Sequence, residues 1–220
     1  MRTYRCLMLT MILGVSTQVF AQPRSGQAET QSKPATAGGA MTPEERASLV
    51  ELLTKTKEEF IESIRGLSDA QWRFKPTPWK WSVAETAEHI ILSEDYIFGF
   101  SQQVLKGPAQ PRSANSVPEK DQALEAIVTD RSKKVLNPDA LKPTDRFKTP
   151  DEAIAEFTAR RDRHIEYVRT TNDELRAHVA PANRIGRLDA YQLIVLVGSH
   201  SGRHTAQIRE VESDPHYPSK

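Results

Sequence analysis

Cysteine is almost missing from this chain. The one thiol in 220 residues is Cys6, at the start of the first apolar run. Beyond it there can be no disulfide, no cysteine nucleophile and no thiolate ligand, so any metal site there must be built from imidazole and oxygen. Cys6 also precedes the apolar run, whereas a lipoprotein signal puts its cysteine at the cleavage site, so lipidation is not expected. An excess of charge of one sign is missing too. Lys and Arg number 30 against 29 Asp and Glu, which leaves no field to gather nucleic acid or an anionic membrane. Long apolar runs are limited to Leu7–Phe20, which Ser16, Thr17 and Gln18 interrupt; it is too short for a comfortable membrane span. Sustained period-two alternation flanked by hairpin turns is absent, which argues against a sheet, and no internal repeat is visible.

What is present begins with a targeting pattern. Arg2 and Arg5 form a positive start, the apolar run follows, and Val19-Phe20-Ala21 places small residues where a signal peptidase reads. Residues 1–21 read as a signal peptide cleaved near Ala21, with export to the periplasm or outside the cell; the alternative is a retained anchor. Residues 22–40, QPRSGQAETQSKPATAGGA, hold no strong hydrophobe and read as a flexible linker. The folded domain is expected over 41–215, with 216–220 as a tail.

Within that domain four helical patterns recur. The first spans about Pro43 to Arg65, with Thr42 as N-cap, Pro43 at the first position, and Leu49, Leu52, Leu53, Phe60, Ile61 and Ile64 at helical spacing. The second spans Ser82 to about Leu105, where Ser82 and Glu85 make a capping box. The third spans Asp151 to about Leu175, and the fourth about Asp189 to Ser213, ahead of Asp214-Pro215. The pattern predicts an all-α fold, a four-helix bundle. Residues 106–150 carry many prolines and one weak helical patch near Glu119–Val135. That is long for a bundle connection and reads as a crossover between the second and third helices.

Chemistry concentrates in HSGRHTAQIREVE, from His200. The fourth helix runs its apolar stripe through Leu193, Val197, Ile208 and Val211, and His200 and His204 fall inside that stripe. An i, i+4 pair can take adjacent positions on one metal ion; it can equally be a pair of satisfied core histidines. Ser201 stands where a zinc metalloprotease helix carries its glutamate, which excludes that reading. A third ligand could come from His89 on the second helix, which shares a side with Glu85, Tyr96, Phe100 and Val104; the alternative is a rim histidine, since Ile90 and Ile91 centre that stripe better. His164, beside Ile165 and among Arg160, Arg161 and Arg163, reads as a solvated or interhelical histidine. His178 and His216 receive no role.

Three strings carry a resemblance. DAQWRFKPTPWKWSVAETAEHI from Asp69, TPDEAIAEFTARRDRHIEYVRTT from Thr149, and GRLDAYQLIVLVGSHSGRHTAQIREV from Gly186 resemble the DinB-like (YfiT-type) metal-binding bundles over roughly residues 45–213. The H-x-x-x-H-x-x-Q-I ending is the most specific part. The resemblance implies a four-helix bundle with a long crossover and a divalent metal, Zn, Ni or Fe, held by His89, His200 and His204. Trp81 matches as packing, Ser82 as a cap, and Gln207 as a group orienting a ligand or bound water. Gly198 and Gly202, flanking His200, serve close helix packing or leave space for a substrate.

Three neutral imidazoles leave open coordination positions, where a water acquires a lowered pKa. The expected function is therefore an exported metal-dependent hydrolase or transferase acting on a small molecule, with Glu85 and Tyr96 as candidates for base or proton shuttle. Some relatives are thiol S-transferases, a branch that export disfavours because low-molecular-weight thiols are kept inside the cell. The alternatives are a non-catalytic metal-binding or metal-stabilised interaction module, and a metal-free bundle. Neither nucleic acid nor, in the mature form, membrane is expected as a partner; a homodimer is the generic expectation for such bundles.

Overall fold

Four long helices form because each pairs an N-cap signal with an apolar stripe. The computed structural model describes residues 38–132, 138–182 and 185–219; the expected signal peptide and residues 22–37 of the expected linker lie outside them. Helix α1 (Pro43–Ile64) begins at a Thr42/Glu45 capping box, and α3 (Val83–Val104) at the Ser82/Glu85 box. Thr149 caps α5 (Pro150–Thr170), and an Asp189/Gln192 box caps α6 (Ala190–Glu212). Two shorter helices, α2 (Asp69–Arg73) and α4 (Pro118–Thr129), and one 3-10 turn, Asp139–Leu141, lie in the connections. Among the described residues there is no strand; Val179 and Asp189 form an isolated antiparallel bridge. Nor is any described helix long and apolar enough to cross a membrane.

The long helices form a closed ring in which α6 packs on α1 and α3, and α5 packs on the same two. The crossover joins α3 to α5, and its helix α4 lies on α6, fastened by Leu124 and Val128 in the core. A buried guanidinium helps to hold it there: Arg176 bonds Glu45 of α1, Asp121 of α4 and the Asp189 cap of α6, and its charge sits 3.6 Å above the Tyr191 ring.

The core divides into two apolar halves. One holds Leu49, Leu53, Ile165, Leu193 and Val197; the other holds Phe60, Ile90, Ile91, Phe157 and Ile208. Between them on the four long helices stand Thr56, Glu94, Arg161 and Ser201, all buried. Arg161 forks onto the Glu94 carboxylate at 2.8 and 2.5 Å, and donates to Ser201 Oγ at 2.7 Å and Thr56 Oγ1 at 2.7 Å. A charge pair this deep stands only because its hydrogen bonds are satisfied. Burial raises the Glu94 carboxyl, yet Arg161 and His164 bring it down to about 2.

Three boundaries differ from the sequence reading. α5 ends at Thr170 rather than near Leu175. The Asp173 carboxylate accepts the hydroxyls of Tyr167 at 2.6 Å and Thr171 at 2.8 Å, turning the chain, and Leu175 reaches the core from the loop. The weak patch at Glu119–Val135 is the helix Pro118–Thr129, with residues 133–137 outside the described set. The end of the expected linker is packed: a side chain on Gly39 would run into Ala177, and the Gly39 carbonyl accepts from Arg176 N–H at 2.8 Å.

Candidate metal centre

Because α3 and α6 are neighbours in the ring, the face of α3 that carries His89 meets the stripe of α6 that carries His200 and His204. The ring centroids lie 5.0 Å (His89–His200), 4.6 Å (His89–His204) and 4.5 Å (His200–His204) apart. One nitrogen from each ring falls within 4.8 Å of the other two. His89 is fully buried, not on the rim, and the other two are partly buried. Trp81, two residues ahead of α3, closes one side, its ring 4.9 Å from His89 and 6.4 Å from His204.

Two of the imidazoles have their tautomer set from outside. His89 Nδ1 lies 2.9 Å from the Leu141 carbonyl in the crossover turn. A carbonyl only accepts, so Nδ1 carries the proton and Nε2 keeps its lone pair. That Nε2 is buried and has no partner among the described residues. His204 Nδ1 lies 2.9 Å from Gln207 Oε1, and the same oxygen accepts from Arg131 Nη1 at 3.3 Å. The amide therefore presents its oxygen, and His204 also carries its proton on Nδ1. Each ring thus turns an unprotonated Nε2 away from its orienting group, the arrangement typical of metal-binding histidines.

Burial favours the neutral rings. It pushes His89 below the ordinary imidazole range even though the Leu141 bond works the other way. His200 falls well below that range through burial and the nearby His204 and His89. Burial and the His89 ring bring His204 down to about 3, against the opposing bond to Gln207. An orphaned buried lone pair, three converging neutral imidazoles and two fixed tautomers together form a set that could hold a metal ion.

The other expected residues are placed as follows. Gln207 touches a ring nitrogen directly. Glu85 has its carboxylate engaged, accepting from Ser82 N–H at 2.7 Å and pairing with Lys75 at 2.9 Å. The Tyr96 side chain is exposed. His164 is interhelical: it is buried, stacks on Phe98 at 4.0 Å, and lies 3.3 Å from both Glu94 and Asp95. Ser201 donates to Glu94 at 2.8 Å, so a glutamate there would bury a second carboxylate against the first. Gly198 is a packing residue, since a Cβ would lie 2.8 Å from Leu52 Cγ; at Gly202 the nearest atom, in Thr56, would be 3.6 Å away.

Sequence reasoning missed Leu141 and Arg131, the two groups that the crossover brings to the centre. The Leu141 carbonyl is backbone and leaves no residue signature. Arg131 meets Gln207 across a separation of 76 residues, with no local pattern to link them. Arg161 was legible in part, because it stands i+4 from Phe157 and i−4 from Ile165, within the buried stripe of α5.

Comparison with known proteins agrees with this architecture. YuaE of Bacillus subtilis (strain 168) is 25% identical over 161 residues, covering 73% of this chain and 95% of its own. A solved structure of YfiT from Bacillus subtilis, described as a probable metal-dependent hydrolase with an unusual four-helix bundle topology, superposes with a TM-score of 0.52. It does so at 15% identity, over 82% of this chain and 91% of its own, so the likeness is one of fold. The DinB superfamily profile matches residues 52–208, and the chain belongs to the DinB superfamily.

Proposed function

We propose that His89, His200 and His204 bind one divalent metal ion and that the protein is a metal-dependent hydrolase acting on a small molecule. The observation that carries this reading is the buried, unpartnered Nε2 of His89, facing two further neutral imidazoles. Bound there, such an ion supplies Lewis acidity, polarising a substrate oxygen or lowering the pKa of a water. The chain's own contribution is to fix the rings. Leu141 and Gln207 hold two Nδ1 protons outward, Trp81 shields one side, and burial keeps all three rings neutral. YfiT, a protein of the same fold, is described as a probable metal-dependent hydrolase. The N-terminal pattern adds that the protein is exported, which weighs against transfer to low-molecular-weight thiols.

One observation favours a second reading, a metal-binding module without turnover. Glu85, the nearest sequence candidate for a base, is held by its helix cap and by Lys75. A panel of ester, amide and phosphoester substrates, assayed with and without chelator, separates the two. Chelator-sensitive turnover supports the hydrolase; bound metal with no turnover on any class supports the module. N-terminal sequencing of the protein recovered from the cell tests export, with Gln22 as the expected first residue.

A further inference from the structure

The proton on His89 is held by the crossover, and the crossover is held by the residue that precedes His89. Glu88 is 2% exposed. One carboxylate oxygen accepts the N–H and the hydroxyl of Thr144, at 2.8 and 3.1 Å, and the other accepts the N–H of Arg146 at 3.0 Å. Between those two N–H groups stands Asp145, in the left-handed region at φ 62°. A left-handed residue there curls its neighbours' N–H groups around a single anion, and that conformation costs a non-glycine residue energy unless its surroundings fix it. Three residues upstream of Thr144, the Leu141 carbonyl meets His89 Nδ1 at 2.9 Å, and the Leu141 side chain is buried. Two consecutive residues of α3 thus grip both ends of one six-residue stretch, Glu88 through its carboxylate and His89 through its ring N–H.

We propose that Glu88 is a positioning residue for the metal centre. Its carboxylate pins residues 144–146, this sets the Leu141 carbonyl, and the carbonyl fixes His89 in the Nδ1–H tautomer with Nε2 aimed at the other two rings. The inference rests on the metal-binding reading of the triad for its consequence, though not for its geometry. Three pairings make the chain continuous: Glu88 to Thr144 and Arg146, Leu141 to His89, and His89 to His200 and His204. A purely structural anchor would affect stability alone, whereas this one also sets which nitrogen of His89 is free.

The test compares wild type, Glu88→Gln and Glu88→Ala. Gln keeps an oxygen for Thr144 but turns an amide toward the Arg146 N–H; Ala leaves all three donors unmet. Long-range proton–nitrogen NMR on metal-free protein labelled at histidine reads the His89 tautomer directly, assigned by the signal lost in His89→Ala. Zinc titration of the same proteins reads affinity. Wild type should hold His89 in the Nδ1–H form, with mixing that grows from Gln to Ala. Zinc affinity should fall in the same order, about 10-fold for Gln and up to about 100-fold for Ala, the range found for outer partners of ligating histidines. Folded variants with an unchanged tautomer and unchanged zinc affinity would overturn the proposal, and Gln decides alone if Ala does not fold. If wild-type protein takes up neither zinc, nickel nor ferrous iron, the metal reading fails, while the tautomer order among the metal-free proteins still decides whether Glu88 sets His89.

Discussion

A histidine becomes a useful ligand only when something else holds its second nitrogen, and in this chain the holders come from outside the H-x-x-x-H pattern. His204 is oriented from its own helix by Gln207 at 2.9 Å, His89 from the crossover by Leu141 at 2.9 Å. Gln207→Ala should therefore weaken zinc binding by about 10- to 100-fold while leaving the helix content unchanged, as titration calorimetry alongside circular dichroism would show. The pair on α6 was legible in the sequence because i, i+4 spacing is a local fact, and Gln207 entered through the family resemblance. His89 was joined to them by the same resemblance and not by its periodicity, since its helix stripe centres on Ile90 and Ile91 and only the packing of α3 on α6 decides which side turns inward. Glu88 was illegible for a similar reason: its partners, Thr144 and Arg146, lie 56 and 58 residues away.

Among the elements, caps and stripes carried most of the information. The starts of α1, α3 and α6 fall where Thr42, Ser82 and Asp189 satisfy the first free N–H groups. The short helix α2 went unread although Ser68 and Gln71 form a complete capping box; five residues give periodicity nothing to act on. The end of α5 was misjudged because Leu175 is as buried as a helical residue while sitting in a loop. Two glycines of α6 make the packing testable. Gly202→Ala gains helix propensity with room for its methyl, 3.6 Å from Thr56, and should stabilise the protein by about 0.5–1 kcal/mol. Gly198→Ala would press on Leu52 at 2.8 Å. The overpacking, typically about 1–3 kcal/mol, should outweigh the same propensity gain. Urea unfolding of the two variants should move in opposite directions.

Over the whole molecule, two of the buried polar clusters, the three imidazoles and the Glu94–Arg161 pair, couple stability to pH. His89, His200 and His204 have pKa values lowered in the folded chain, His204 to about 3; the unfolded chain takes up protons near the ordinary imidazole pKa of about 6.5. Their contribution is complete above about pH 6.5 and declines as the pH falls toward 3. Glu94, lowered to about 2, adds stability that is present above about pH 4.5 and lost as the pH falls through 2. The melting temperature of metal-free protein should therefore hold steady from pH 8 to about 7 and then drop, with a further fall below about pH 4.5. A flat profile down to pH 4 would contradict the buried neutral rings. Divalent metal at 100 times its dissociation constant should stabilise the protein by about 2.7 kcal/mol, seen as a higher melting temperature that chelator reverses. Metal binding by the three histidines is tested most directly by elemental analysis of the purified protein beside His204→Ala. One divalent metal ion per chain is expected in the wild type, and none in a variant that keeps its helices. Wild-type protein that contains no metal and takes up none from zinc, nickel or ferrous iron would contradict such binding.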